Sequence, residues 1–244
     1  MNAAPTRRTT AALAVGGALV ALVGNAIAPR INGDDVDVYR KIAHSDRFAA
    51  AGLIILVAVV LVSAAFVGLS RRSPSSRTAE LAQYARVAAV IGGALAVLQT
   101  AVELYAYRQE ARAFDAAHPP NVVSAFWATN ALDRINSAMF ASWTIVLLGA
   151  APILLGALQL RSRALGRLGY GAIVGGAVCA VVGVASLLTD DQSTYDIPFA
   201  IGSVIVTVWL LGTGISIWRH PDDACIDITD DSSVRAQEQV TAGG

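Results

Sequence analysis

Glu103 is the only acidic or basic side chain lying inside one of the long apolar runs of this chain, and a carboxylate in hydrocarbon is costly unless something compensates it. Gln99 lies one helical turn before it and Thr100 lies beside the same face, so the segment carries a polar stripe near one end. Asp133, Arg134, Asn136 and Ser137 open the next apolar segment at the same depth, while His44, Asp46 and Arg47 introduce an earlier one. Convergence of Gln99, Glu103, Asp133, Arg134 and Asn136 would make a ligand-binding set able to orient a small polar molecule or a lipid headgroup. An ion pair between Glu103 and Arg134 would satisfy both charges. The plainer reading puts Glu103 about one turn from its helix end, reaching interfacial water or held in a structural pair.

Other chemistry finds no support. The histidines His44, His118 and His220 all fall outside the apolar runs, which leaves no basis for haem ligation within them or for a serine and histidine dyad. There is no GxSG, HExxH, CxxC or Walker sequence, and no lysine in an apolar run for a retinal Schiff base. Asp34, Asp35 and Asp37 are close together but lack the downstream glutamate of an EF-hand. No catalytic residue, metal site or cofactor is expected, and an enzyme ranks behind a binding protein. Cys179 and Cys225 are separated and predict no disulfide; a thiol in lipid surroundings stays protonated.

The elements that must position the polar set are six apolar segments, roughly Thr10–Ala28, Phe48–Leu69, Val87–Tyr107, Ile135–Leu160, Leu168–Leu188 and Ile197–Trp218. Each reaches the roughly 20 residues needed to span a bilayer core. With 55% apolar and 15% charged residues, the composition excludes a water-soluble core. The fold class is therefore all-α, a polytopic transmembrane bundle of six helices over residues 10–218, with a short N-terminal segment 1–9 and an acidic tail 219–244. Beyond Arg219 that tail holds six acids against Arg235 and is expected to be disordered.

Charge sets the orientation. Residues 1–9, 70–86 and 161–167 together with Arg219 hold ten basic residues and one acid, Glu80, whereas 29–47, 108–134 and 189–196 hold seven basic residues and ten acids. The positive-inside rule places the first group, and hence both termini, in the cytoplasm. Tyr39, Tyr105, Tyr107, Trp127 and Tyr195 fall at the outer boundary, and Tyr84, Tyr170 and Trp218 at the inner one, as an aromatic belt would. Lys41 is the sole lysine, a bias towards arginine that fits GC-rich bacterial coding and hence a bacterial plasma membrane. Nucleic acid is not an expected partner.

Several local features admit two readings. Arg7, Arg8 and Ala26-Ile27-Ala28 resemble a cleavable signal, but Pro29 sits where signal peptidase accepts proline poorly, favouring a retained helix. Residues from Asn121, with Val122, Val123, Phe126 and Trp127, form either a short surface helix capping the bundle or an N-terminal extension of the fourth span. Pro152 predicts a kink in that span. Gly171 and Gly175, with Gly176 and Ala180, predict close packing of a central fifth helix and offer notches for a membrane-protein partner or a second copy.

The stretch NGDDVDVYRKIAHSDRF before the second span and LLGALQLRSRALGRLGYGAIVGG across the fourth and fifth resemble the corresponding segments of a broad family of uncharacterised bacterial six-helix integral membrane proteins, a domain of unknown function. Asn32, Asp35 and Ala164 depart from its usual residues. The resemblance covers most of residues 10–218, implies the same six-helix topology and carries no activity. Two functions follow: a non-enzymatic subunit, regulator or binder of lipid or small ligand with an outward-facing polar site, or a small oligomeric transporter. Convergence of the polar residues into a deep pocket favours the second, and a closed, fully packed outer end the first.

Overall fold

The computed structural model describes residues 3–29, 35–71, 76–161, 165–189 and 195–219, and all the secondary structure in them is helical. The helices are α1 (Ala3–Ile27), α2 (Asp35–His44), α3 (Asp46–Ser70), α4 (Ser76–Ala101), α5 (Arg108–Asp115), α6 (Val122–Trp143), α7 (Ala151–Leu160), α8 (Gly166–Leu188) and α9 (Asp196–Arg219). Two π-helical segments, Val102–Tyr107 and Thr144–Ala150, join α4 to α5 and α6 to α7 without a break. Among the described residues six continuous helices are long and apolar enough to cross a bilayer: 7–27, 46–70, 78–115, 122–160, 166–188 and 196–219. The chain is a multi-pass membrane protein.

Small residues face inward. Ala11, Ala14 and Ala18 on α1, Ala51, Ala58 and Ala65 on α3, and Ala82, Ala85, Ala89 and Ala96 on α4 are all buried. Larger side chains such as Leu53, Val57 and Val60 on α3 and Val87, Val90 and Ile91 on α4 are exposed. Lipid is as apolar as a leucine side chain, so helices gain little by hiding bulk and gain van der Waals contact by approaching through alanine and glycine. The α7–α8 seam shows the limit: a Cβ on Gly156 would stand 2.6 Å from the Gly169 carbonyl oxygen, and one on Gly169 would stand 2.6 Å from that of Gly156. Helix α8 packs against α6, the second π segment, α7 and α9, the central position its glycines imply. Gly171 and Gly175 both face α9, Gly175 at close approach and Gly171 in ordinary contact with Trp209, while Gly176 abuts the Gly149–Ile153 turn. Helix α1 is packed against both α3 and α9.

Polar glue is sparse. Trp209 Nε1 donates to Gln159 Oε1 at 2.8 Å, and Gln159 Nε2 donates to Thr213 Oγ1 at 3.3 Å, tying α7 to α9. Pro152 sits in the first turn after the Thr144–Ala150 π segment. The residue its ring would crowd in a regular helix, Leu148, lies in that wider turn, which relieves the clash behind the predicted kink.

The segments 29–47 and 108–134, read from sequence as outer loops, are mostly helical. Helix α2 occupies the first, and the third and fourth spans extend to Asp115 and from Val122, making helices of 38 and 39 residues. At about 1.5 Å per residue these are roughly 57 Å long against an apolar bilayer core of about 30 Å, so the α5–α6 hairpin projects beyond it. The residues from Asn121 are thus an extension of the fourth span. Tyr39, Ile42 and Ala43 of α2 pack on Tyr107, Ala111 and Phe114 in a second small core, with Tyr39 edge-on to Tyr107 at 6.0 Å and to Phe114 at 5.9 Å. Tyr39 and Tyr107 are therefore core residues and leave the aromatic belt to exposed Tyr84, Tyr105, Trp127, Tyr170 and Trp218. Surface pairs Arg40–Asp115 (3.6 Å), His44–Asp115 (2.8 Å) and Arg108–Asp46 (3.1 Å) brace this cap. The tail with His220 and Cys225, the acids Asp190 and Asp191, and Asn32 lie outside the described residues.

Candidate functional site

Below the α2 cap, where the third and fourth spans enter the bundle, lies a cavity of about 650 Å³. Its polar lining comes from three helices. The third span contributes Gln99, Thr100, Glu103 and Tyr107, and α6 contributes Asp133, Asn136 and Ser137, with Asp196 from the start of α9. On α6 the positions 133, 136, 140 and 143 recur at helical spacing, so Asp133, Asn136, Phe140 and Trp143 form one stripe along the wall. Phe48, Ala51, Gly52 and Ile55 of α3 close the other side.

Gln99 organises the polar end. Its Nε2 donates one hydrogen bond to Glu103 Oε2 at 2.9 Å, one turn on, and a second to Asn136 Oδ1 at 2.8 Å on the facing helix. Both amide hydrogens are spent on these two acceptors. Thr100 Oγ1 turns back to the Ala96 carbonyl at 2.8 Å, as hydroxyls in helices do. Tyr107 and Asp133 border the same cavity from the two facing helices. Glu103 and Tyr107 both belong to the first π segment, and Trp143 immediately precedes the second; such turns often mark functional sites because they rotate side chains out of helical register.

The structure brings together four of the five candidate residues. Gln99, Glu103, Asp133 and Asn136 line one cavity, while Arg134 lines a neighbouring groove of about 380 Å³ that shares Asp133 and Ser137 with it. The expected Glu103–Arg134 ion pair is absent from the ion pairs of the described residues: Glu103 accepts from Gln99, and Arg134 Nε donates to Asn130 Oδ1 at 3.2 Å. The reason is angular, since one residue along a helix turns the side chain about 100°, out of the Asp133 stripe. His44 and Asp46 are held in the cap by Asp115 and Arg108 and do not reach the cavity. Just above, Asn130 Nδ2 donates to the Tyr39 hydroxyl at 3.2 Å, and burial raises the pKa of that phenol, keeping it neutral.

Sequence reasoning missed Phe48, Tyr107, Phe140, Trp143 and Asp196 as lining residues. Tyr107 was masked by its position at a predicted boundary. Trp143 did carry a signal, being one of two tryptophans well inside the spans. Its ring stands 5.3 Å from that of Phe140, edge to face, and its buried Nε1–H has no acceptor. Ile55, Phe140 and Trp143 also line a second, apolar cavity of about 140 Å³ deeper in the bundle, so they form the wall between the two.

Residues 9–214 match the family described as domain of unknown function DUF4386. The chain belongs to this family. Its match spans all six membrane helices save the first residues of the first and the last of the sixth. No curated protein and no solved structure matches the chain.

Proposed function

We propose that this DUF4386 protein is a non-enzymatic receptor or carrier component of a bacterial plasma membrane that binds a small ligand or lipid headgroup in the Gln99–Glu103–Asn136 cavity, with both termini in the cytoplasm and the cavity open to the outside. One observation carries the reading: a bilayer-level carboxylate, an amide that bridges two helices and a second carboxylate border a single cavity of ligand size. The charge asymmetry of the connecting segments supports the orientation, because the ends nearest the cavity carry the acidic excess.

Convergence into a pocket is what favours the second reading, a small transporter, over a closed subunit, and the π-helical segments in the third and fourth spans add a place where those helices can bend. Thermal unfolding in detergent against a panel of lipids and polar metabolites tests the shared claim. A compound held at a hundred times its Kd should stabilise the wild type by about 2.7 kcal/mol. The gain should vanish in Glu103→Gln and persist in Arg134→Gln, whose side chain lies in the neighbouring groove. An equal response of all three proteins would refute the site. Uptake of the stabilising compound into liposomes containing the protein would then assign transport, and its absence a binding role.

A further inference from the structure

Resting on the cavity being a binding site, we propose that its ligand is an organic ammonium ion with a short apolar body that carries a hydrogen-bond acceptor. Three carboxylates line the cavity, from Glu103, Asp133 and Asp196, and no arginine, lysine or histidine does so among the described residues. Four arginines of this end are engaged elsewhere. Arg108 is committed to Asp46 and the Ser45 carbonyl, Arg112 to the Ala43 carbonyl, Arg40 to Asp115, and Arg134 to Asn130. Gln99 spends both amide hydrogens on Glu103 and Asn136, so the polar end presents mainly acceptors and calls for donors.

Aromatic rings continue the argument. Phe140 and Trp143 flank the space beyond the carboxylates and Phe48 lines the cap side, where aromatic rings favour a cation or its alkyl groups. Trp143 is only 8% exposed, borders the cavity, and its Nε1–H lacks an acceptor, which a burial of this depth normally supplies. Asn136 and Trp143 are seven residues apart, so about 10 Å of helix separates the acceptor-rich end from this donor. An ammonium at the Glu103 end and an oxygen at the Trp143 end of one molecule satisfy both, once the indole, whose Nε1 is fully buried in the cavity wall, turns toward the ligand. A free amine and the ethanolamine headgroup of a lipid share this chemistry.

The test is a matched series on the full chain in detergent, followed by thermal unfolding: hexylammonium, hexanol and hexanoate, and an ammonium of equal length with an ether oxygen in its chain. The two ammonium compounds should stabilise the protein and the alcohol and carboxylate should not. The ether-bearing amine should bind more tightly than hexylammonium, by an increment that Trp143→Phe abolishes, so that this variant binds the two amines alike. Glu103→Gln should weaken both amines at least tenfold; should that variant not fold, the wild-type series decides alone. Preference for hexanoate or hexanol overturns the proposal. So does a response to none of the four, and the binding-site reading still stands if another compound of the panel stabilises the wild type but not Glu103→Gln. In nanodiscs, an amine response lost in phosphatidylethanolamine but kept in phosphatidylglycerol supports the proposal with lipid as source. A response kept in both supports it with a free amine.

Discussion

Gln99 shows how one side chain can serve packing and site at once. Its two donated bonds join the third and fourth spans and fix the orientation of Glu103. Replacing it with leucine removes both bonds and leaves two half-buried acceptors undonated, so Gln99→Leu should destabilise the protein by about 1–3 kcal/mol in reversible unfolding. Loss of less than about 0.5 kcal/mol would mean that water replaces the amide at no cost. Much of this was legible in the sequence. Gln99 and Glu103 stand at i and i+4, and Asn136 follows Asp133 by three, so each pair shares a helix face. Arg134 was not legible as an outsider, because charge pairing ignores the rotation about the helix axis that turns it into the neighbouring groove.

Among the elements, glycine positions decide how closely helices approach. Gly169→Val would drive a branched side chain into the backbone of α7, and should cost at least about 1–3 kcal/mol. Gly171→Ala, whose new methyl would meet only Trp209 Cβ at 3.7 Å, should change stability by no more than about 0.5 kcal/mol. Thermal unfolding of the two variants side by side checks the contrast; equal losses would contradict the packing described here. The spacing of glycines was visible in the sequence, but a GxxxG pattern does not tell how closely each member approaches the partner helix. Helix α2 was hidden for a different reason. Its charges marked it as a loop, although Tyr39, Ile42 and Ala43 at i, i+3 and i+4 form an apolar stripe that needs the projecting α5–α6 hairpin as a partner. Tyr39→Ala removes a ring that is 1% exposed and in contact with three others, and should release α2. Hydrogen exchange would then accelerate across 35–44 while α8 stays protected.

For the molecule as a whole, the six spans followed from apolar runs of bilayer length, and composition sufficed because lipid imposes that length directly. What the runs could not reveal was that two of them continue as helices past the membrane, since polar residues end a hydropathy segment without ending a helix. The orientation proposed here has its own check. With Cys179 and Cys225 replaced by alanine, Ala117→Cys should react with a membrane-impermeant thiol reagent added to intact cells, and Arg71→Cys only after permeabilisation; the reverse order would invert the topology. The same background gives the most direct test of the central claim, that the Gln99–Glu103–Asn136 cavity is a binding site open to the outside. Asn136→Cys should be labelled by the impermeant reagent in intact cells, and a compound that stabilises the Asn136→Cys protein should slow the labelling. A cysteine at this position that reacts only after permeabilisation, or at a rate no stabilising compound alters, would contradict the account.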